Sequence, residues 1–452
     1  MWWWKRIGQG VIGLFLVGAV VSSVGPSSLP SGESVAVRRY LGRFLAWPFE
    51  AVVERPYALD PRNIDDEARR RRLAALEAEA RAGLVRIDPD PDRPGRYPAV
   101  TVLRLTGEPW EMGWVYGRVL GDEVRANVRE NMMPVIRMLA WPRQLDQAWS
   151  NVAPFIPQEY TAELAGMAQS SGVKLRLLQQ MHAVPEISES MCSGYAFDDR
   201  ITEDGASYHI RILDYATYLN VQRNPVVVFY RPLDAAGNPQ GYAYVNVAWA
   251  GFDWSVGGVN ELGLALGEIG GGRADALEGE RPDGEPMGVL VRRVLNQAAN
   301  VPEAENLIAT ARRNLRYVYV MSDRREQQII LSGPNLYRVN RAGETLEKLG
   351  ERYSELIGFD GIAWHGANTD THAARFTEKS TGLGLADVFE HNKAVALEKN
   401  LHAWVLRRDG CDDRGCETLE LWVANALGTY ERAVDQPYVR IDLNEHFARL
   451  RD

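Results

Sequence analysis

The most informative stretch of the chain is Met191 to Asp214, which reads MCSGYAFDDRITEDGASYHIRILD. Its first part, Cys192 to Phe197, is a short run of small and aromatic residues, and Ser207 to Leu213 alternates as a strand does. Between them, Glu203-Asp204-Gly205 has the composition of a tight turn. The sequence therefore predicts two strands joined by a turn, with Cys192 opposite the far strand.

This hairpin would bring two charged residues near Cys192. Arg211 and Asp214 lie on or just after the second strand, close enough in space to orient a nucleophile at the start of the first. A lone cysteine is more often a small buried hydrophobe, and an Arg-x-x-Asp pair is more often an ordinary surface ion pair. Other features of the sequence are therefore needed to distinguish a catalytic role for these residues from a purely structural one.

The order Cys192-Ser, turn, Arg211-x-x-Asp214 resembles the N-terminal-nucleophile hydrolases that use cysteine. Nearest is the family of acyl-coenzyme A:6-aminopenicillanate acyltransferase (peptidase family C45), and acid ceramidase and choloylglycine hydrolase are more distant. The resemblance implies that the chain cleaves itself before Cys192. The freed α-amino group would then act as the base for its own thiol, with Arg211 and Asp214 orienting the amine and stabilising the thiolate.

That chemistry is reasonable on elementary grounds. A free thiol has a pKa near ~8.5 and an α-amine a pKa near ~7.7 to 8.0, so an adjacent amine can take the thiol proton at neutral pH. No separate histidine is needed. A guanidinium and a carboxylate beside them complete a set of nucleophile, base and orienting groups.

The region before Cys192 also resembles this family. Val100 to Leu120 reads as a strand, a turn and a helix, and Gly113 and Gly117 would allow that helix to pack closely on a neighbour. Glu159 to Leu178 resembles the helix that precedes the nucleophile. We therefore expect residues 100–191 to form a pro-region, the α chain after processing, and residues 192–452 to form the mature chain.

Three later residues complete the candidate site. Asn260 stands in Gly-x-Asn-Glu-x-Gly-Leu, and the resemblance implies that its amide donates to the developing oxyanion. Taken alone, an Asn in a Gly-rich turn is simply a favoured turn residue. Asn368 and Arg375 match an Asn followed by an Arg in the family, although the usual Asn-His-Phe is replaced here by Asn-Thr-Asp.

The coarse pattern of the remaining chain predicts an α+β fold. Helical spacing marks Met287 to Gln297 and Glu303 to Arg312, and strand patterns mark Leu315 to Met321 and Gln327 to Leu331. With the resemblance, this order implies a four-layer αββα sandwich of the N-terminal-nucleophile hydrolase type. His365 and His372 suggest a metal only weakly, because no carboxylate cluster is near them, and we expect neither metal nor cofactor.

Composition excludes one class of partner. The 452 residues carry a net charge of −9, with 46% hydrophobic and 25% charged residues, as in an ordinary globular protein. This acidic balance gives no general attraction for nucleic acid. A small-molecule acyl amide or acyl ester, and the α and β pieces of the same precursor, are the partners that we expect.

The N-terminus has the pattern of a targeting segment. Aromatic and basic residues at 1–6 precede an apolar stretch, Val11 to Val21, and then small residues, so residues 1–26 are either a signal peptide or a signal anchor. Residues 27–99 would be a linker and a helical extension. Within them, Val35 to Val53 is aromatic and basic, typical of either a membrane-surface segment or a packed helix. The expected location is the exported side, with membrane anchoring left open.

The chain has three cysteines, Cys192, Cys411 and Cys416. The last two flank a short loop tip where both sulfurs could meet, and an exported protein permits a disulfide there. Cys192 would remain unpaired, which favours the nucleophile over a packing role. A zinc site is a poor alternative, because Cys-x4-Cys has no second pair of ligands nearby.

Together these features predict an exported, self-processing amidohydrolase or acyltransferase that cleaves a linear, non-peptide acyl amide through a thioester. The alternatives are a phospholipase B-like ester hydrolase on the same fold and an inactive, membrane-anchored binding protein. Met191 before the scissile bond and the altered turn at Asn368 depart from the family pattern. The acyl chain and the amine are not readable from the sequence.

Overall fold

The computed structural model describes residues 67–188, 191–270, 283–347 and 355–451. The expected targeting segment at 1–26 and most of the expected extension at 27–99 lie outside these ranges. Within the described ranges, no helix combines the length and the apolar character needed to cross a membrane. All described residues except 138–140 belong to one compact unit, to which the following account refers.

The part of the chain before Cys192 is mainly helical. Its elements are α1 (Glu67–Ala82), β1 (Val85–Ile87), β2 (Val100–Gly107), α2 (Pro109–Val119), α3 (Gly121–Arg125), a π-helix (Ala126–Met132), α4 (Met133–Met138), α5 (Pro142–Val152), α6 (Gln158–Ser171), α7 (Leu175–His182) and α8 (Val184–Ile187).

Helices α2 and α6 pack at very short range. A methyl group added at Gly113 would lie 1.8 Å from the carbonyl oxygen of Glu163, and one at Gly166 would lie 2.2 Å from that of Trp110. Only glycine allows the two backbones to approach so closely. The expected close packing of the Gly113 and Gly117 helix face is therefore confirmed.

The part of the chain from Cys192 onward supplies most of the strands. Its elements are β3 (Met191–Phe197), β4 (Ser207–Asp214), β5 (Pro225–Pro232), β6 (Tyr244–Trp249), β7 (Gly257–Asn260), β8 (Ala265–Gly270), α9 (Met287–Gln297), α10 (Val301–Thr310), β9 (Tyr317–Ser322), β10 (Gln327–Ser332), β11 (Tyr337–Arg341), β12 (Ile362–Gly366), α11 (Thr369–Glu378), α12 (Leu385–Val395), β13 (Asn400–Asp412), β14 (Gly415–Asn425), β15 (Val439–Asp442) and α13 (Leu443–Ala448).

These strands form two sheets. The larger has the order β1-β2-β5-β6-β7-β8-β9-β10-β11, and the smaller has the order β12-β3-β4-β13-β14-β15. Neighbouring strands are antiparallel, except that β2 and β5 are parallel. The predicted hairpin is confirmed, because β3 and β4 pair with Cys192 opposite Leu213.

The two sheets face each other. A methyl group added at Gly194 in β3 would lie 3.1 Å from the side chains of Ile269 in β8 and Val320 in β9. The outer face of the larger sheet carries α9, since the same test at Gly258 meets Leu295 at 3.0 Å. The outer face of the smaller sheet carries α12, where Tyr195 Oη donates to Asn392 Oδ1 at 2.5 Å.

The predicted mixture of helices and strands is thus confirmed, with small shifts in some boundaries. Helix α9 has the predicted bounds. Helix α10 begins two residues earlier than predicted, because Asn300 caps it by accepting a hydrogen bond from the backbone of Glu303. Cys411 and Cys416 are joined by a disulfide between β13 and β14, as their positions at a loop tip allowed.

Candidate active site

Cys192 is the second residue of β3 and is 1% exposed. It lies on the face of its sheet that meets the larger sheet, because side chains alternate along a strand and Gly194 faces Ile269 and Val320. Its carbonyl oxygen accepts a hydrogen bond from the backbone of Ala367, just after β12. Strands on both sides therefore fix the backbone at Cys192.

Arg211 is the group that the structure brings to the thiol. Its Nη2 donates to Sγ of Cys192 at 3.8 Å, and the residue is completely buried. Nearby glycines make room for the long side chain: a methyl group added at Gly257 or Gly267 would lie 3.1 or 3.3 Å from it. A fixed positive charge at this distance stabilises a thiolate.

Glu268 holds Arg211 in place. The Arg211 Nη2 donates to Glu268 Oε2 at 2.9 Å, and Nε donates to the Glu268 carbonyl oxygen at 2.8 Å. Burial raises the pKa of Glu268, and the charge of Arg211 opposes that rise. The other carboxylate oxygen, Oε1, is buried with no hydrogen-bond partner among the described residues. Glu268 can therefore both orient Arg211 and receive a hydrogen bond from a bound molecule.

His402 completes the contacts of the guanidinium. Arg211 Nη1 donates to His402 Nε2 at 2.9 Å, so this nitrogen must be the unprotonated one. Burial and the neighbouring Arg211 hold the pKa of His402 well below its usual range. The histidine is thus a neutral acceptor, and its ring also contacts that of Trp249.

Neither Glu268 nor His402 was a candidate from the sequence. The one available signal was the position of Glu268 in Leu-Ala-Leu-Gly-Glu-Ile-Gly, since a charge inside an apolar strand needs a partner or a function. His402 stands in a strand that gave no such signal. The hydrogen bonds of Arg211 with Glu268 and with His402 each join different strands, so they depend on how the strands and sheets are arranged.

Asp214 lies opposite Met191, the residue before the expected scissile bond. Because it is three residues from Arg211 on one strand, its side chain points to the opposite face. Burial raises the pKa of Asp214 to about 7, and the backbone of Leu397 and the amide of Asn400 oppose that rise. The structure therefore places Asp214 beside the backbone that would be cut, and Arg211 beside the thiol.

Asn260 is not brought to the thiol. Its amide nitrogen donates to the carbonyl oxygens of Leu295 and Ala298, at the end of α9, over 3.2 and 2.8 Å. Its amide oxygen accepts from the backbones of Leu262 and Leu264. Both amide hydrogens thus hold the turn at Asn260 against α9. This is the structural role of an ordinary turn residue, the alternative to an oxyanion donor.

Asn368 and Arg375 have different surroundings. Asn368 follows β12, whose last residue, Gly366, pairs with Ser193, so it lies near the start of β3. Its amide donates to the Val395 carbonyl oxygen at 2.7 Å, and its other amide hydrogen has no acceptor among the described residues. Arg375, on α11, is partly exposed and pairs with Glu378 on the same helix. Asn368 thus follows Ala367, whose backbone donates to the Cys192 carbonyl oxygen, whereas the ion pair that the structure shows for Arg375 joins it to its own helix.

A cavity of about 60 Å³ adjoins this group. Leu213, which faces Cys192, and Glu268, which holds Arg211, both line it, and most of the other walls are apolar, including Met181, Trp249 and Met287. Val184, from α8 just before Cys192, also lines it. Among the described residues, no cluster of three or more His, Cys, Asp or Glu could hold a metal ion.

Comparisons with known proteins add distant relatives. No family model matches the chain. Protein dcd1B of Dictyostelium discoideum is 23% identical over 185 residues, which is 36% of this chain and 36% of that protein. Protein dcd1A of the same organism is 21% identical over 243 residues, 47% of this chain and 54% of that protein.

An uncharacterized protein of Archaeoglobus fulgidus is 23% identical over 251 residues, 49% of this chain and 41% of that protein. The chain therefore matches between about a third and a half of the length of these curated relatives.

Two solved structures illustrate the structural comparison. One is a Caenorhabditis elegans ortholog of N-acylethanolamine-hydrolyzing acid amidase, with 13% identity and a TM-score of 0.34, covering 48% of this chain and 92% of that one. The other is a mutant of conjugated bile acid hydrolase from Clostridium perfringens, with 14% identity and a TM-score of 0.34, covering 56% and 93%.

Proposed function

We propose that the chain is a self-processing cysteine hydrolase or acyltransferase of the N-terminal-nucleophile type, acting on linear acyl amides. The observation that carries the proposal is the contact of the buried Arg211 guanidinium with the thiol of Cys192, beside an apolar cavity. A cysteine that only filled space would need no such charge.

The first reaction is the cut before Cys192. The thiol sulfur attacks the carbonyl carbon of Met191, a carbon–sulfur bond forms, and the bond to the Cys192 nitrogen breaks as that nitrogen takes a proton. Water then hydrolyses the thioester, which leaves a carboxylate on Met191 and a free amine and thiol on Cys192. In this scheme Asp214, which pairs with Met191 across the two strands, holds the new amine.

In the second reaction the amine serves as the base. It takes the thiol proton, the thiolate attacks the acyl carbon of the substrate, and the amine returns the proton to the departing nitrogen. Water or a second amine then accepts the acyl group from sulfur. Arg211 stabilises the thiolate, and Glu268 and His402 fix the orientation of Arg211 through three hydrogen bonds.

We assign the oxyanion donor to Asn368. Its position after β12 and its remaining amide hydrogen suit that role, whereas both amide hydrogens of Asn260 are engaged elsewhere. Arg375 has no part in this scheme. The acyl group is expected to be apolar, since the cavity walls are largely apolar.

The cavity is smaller than the ~300 Å³ or more that usually holds a ligand. Val184 and Ser188 form part of its wall and belong to the segment that precedes the cut. We propose that the segment shifts after cleavage and makes room for the acyl chain. The sheet-to-sheet contact, with α9 and α12 on the outer faces, supports a four-layer αββα arrangement.

Export is part of the same proposal. The N-terminal sequence pattern is its first support, and the disulfide between Cys411 and Cys416 is its second, because such bonds persist mainly in oxidising compartments.

Trapping the acyl-enzyme tests the activity. The purified protein would be incubated with N-acyl amino acids, N-acylethanolamines, penicillins and lysophospholipids, quenched in acid, and digested for mass spectrometry. We expect an acyl group on Cys192 from an amide with an apolar acyl chain, and none in Cys192→Ser under the same conditions. Acylation from lysophospholipids alone would favour an ester hydrolase, and no acylation by any of them would contradict the proposal.

A further inference from the structure

One wall of the cavity beside Cys192 comes from a rare element. Met132, which is 4% exposed, lines the cavity and is the last residue of the π-helix Ala126–Met132. A π-helix is uncommon, usually short, and frequently found at functional sites. The 7 residues in this form beside the candidate active site therefore need a physical reason.

Asn127 fixes this π-helix to the chain that follows the cut. Its side chain is completely buried, and Nδ2 donates to the carbonyl oxygens of Val221 and Ala250 at 3.3 and 3.1 Å. Its Oδ1 accepts from the side-chain amides of Asn131 and Asn224 at 3.0 and 2.7 Å. Both hydrogens and both lone pairs of the amide are thus used. A buried polar group that is fully paired in this way makes its surroundings rigid.

The π form explains why Met132 reaches the cavity. In a π-helix, residues five apart are joined by a backbone hydrogen bond and lie on the same side, whereas in an α-helix they are ~140° apart. Met132 follows Asn127 by five residues, so both lie on the side of the helix that faces Val221 and Ala250. Val221 and Trp249, the residue before Ala250, line the same cavity. The π-helix therefore places Met132 in a wall that Asn127 holds.

The cavity thus has walls of two kinds. Val184 and Ser188 line it from the segment just before the cut, which is the part that we expect to shift after cleavage. The π-helix is distant from the cut in sequence, and the hydrogen bonds of Asn127 tie it to residues of the mature chain. Met132 should therefore keep its place when the chain is cut. The wall that stays in place limits the length of the acyl group.

We propose that Met132 is the specificity-determining residue for the acyl group and restricts the site to amides of short aliphatic acids. The inference rests on the proposed function, because it names the substrate class of the same site. The cavity of about 60 Å³ has little room, and Met132 closes it against a long chain. Methionine is unbranched and flexible, so Met132, with Met181 and Met287 in the same lining, lets the wall adapt to the shape of a short chain.

Hydrolysis of a homologous series by the processed enzyme tests this inference. The series is acetyl-, butanoyl-, hexanoyl-, octanoyl-, dodecanoyl- and hexadecanoylglycine, and kcat/KM is measured for each. We expect the parent to favour the short members and to lose at least tenfold by dodecanoylglycine. Met132→Ala removes about three non-hydrogen atoms from the wall and should move the maximum to chains about three carbons longer. Met132→Leu, of similar volume, should keep the maximum of the parent.

Met133→Ala is the matched control. Met133 is the next residue, is 1% exposed, and is not among the described residues that line the cavity. This variant should lose similar stability in urea unfolding and keep the chain-length profile of the parent. An unchanged profile in Met132→Ala, the same shift in Met133→Ala, or a parent that favours hexadecanoylglycine would overturn the inference and leave the proposed function standing. A parent that hydrolyses no member would contradict the proposed function, and the inference would fall with it.

Discussion

Nη2 of Arg211 lies 3.8 Å from Sγ of Cys192, and the same nitrogen lies 2.9 Å from a carboxylate oxygen of Glu268. The thiol and the carboxylate thus share one guanidinium inside the protein. Because a buried charge is costly without a partner, Arg211 should matter both for folding and for reactivity. These two contributions can be separated experimentally.

The first prediction separates them. Arg211→Met leaves Glu268 buried without its partner, and we expect the free energy of unfolding to fall by about 3–5 kcal/mol and activity to be lost. Adding Glu268→Leu removes the carboxylate that has lost its partner, and the double variant should regain much of the stability and none of the activity. Urea unfolding and turnover assays on the single and double variants measure this. Activity in the stable double variant would show that the thiol does not need Arg211.

The second prediction compares two asparagines. Asn368→Ala should lower kcat by about 10²- to 10³-fold with little change in Tm, because an oxyanion donor acts mainly in the transition state. Asn260→Ala should instead lower the free energy of unfolding by about 1–3 kcal/mol, since it leaves buried carbonyl and N–H groups without partners. Thermal unfolding and steady-state kinetics distinguish the two. The reverse pattern would return the oxyanion role to Asn260.

The third prediction concerns pH. Burial raises the pKa of Asp214 from 3.8 to about 7, so folding favours its protonated form. Its ionisation should therefore cost stability progressively between about pH 4 and pH 7, by about 4 kcal/mol in all. In the uncleaved Cys192→Ala background, Asp214→Asn avoids this cost, and its Tm should exceed that of its parent more at pH 8 than at pH 5.

The exposed Asp360 supplies the matched control for this experiment. Asp360→Asn should show the same small Tm difference from its parent at both pH values. If Asp214→Asn behaved in the same way, Asp214 would be ionised in the fold at ordinary cost, and the placement of a buried, protonated Asp214 beside Met191 would be wrong.

The fourth prediction concerns the disulfide. A non-reduced digest should contain Cys411 linked to Cys416, with Cys192 open to alkylation after denaturation. Replacing both late cysteines by serine should lower the free energy of unfolding by about 2 kcal/mol, as expected for a short closed loop, and should leave turnover unchanged. Recovery of Cys192 in a disulfide with either partner would remove it as the nucleophile.

The sequence predicted the features that depend on local pattern. The hairpin of β3 and β4 follows from alternation and a turn, and the bounds of α9 follow from helical periodicity. The roles of Glu268 and His402 could not be predicted, because each depends on a hydrogen bond with Arg211 that joins strands distant in sequence. Asn260 was a candidate through resemblance alone, and its surroundings became visible only when α9 was seen to pack on its turn.

The most direct test is the N-terminus of the mature protein. Intact mass and Edman sequencing of purified wild type should show a cut between Met191 and Cys192, with a C-terminal piece that begins Cys-Ser-Gly-Tyr. Cys192→Ala should remain full length and inactive, and the neighbouring Ser193→Ala should still be cut. An active wild-type enzyme without a new N-terminus at Cys192 would contradict the N-terminal-nucleophile mechanism.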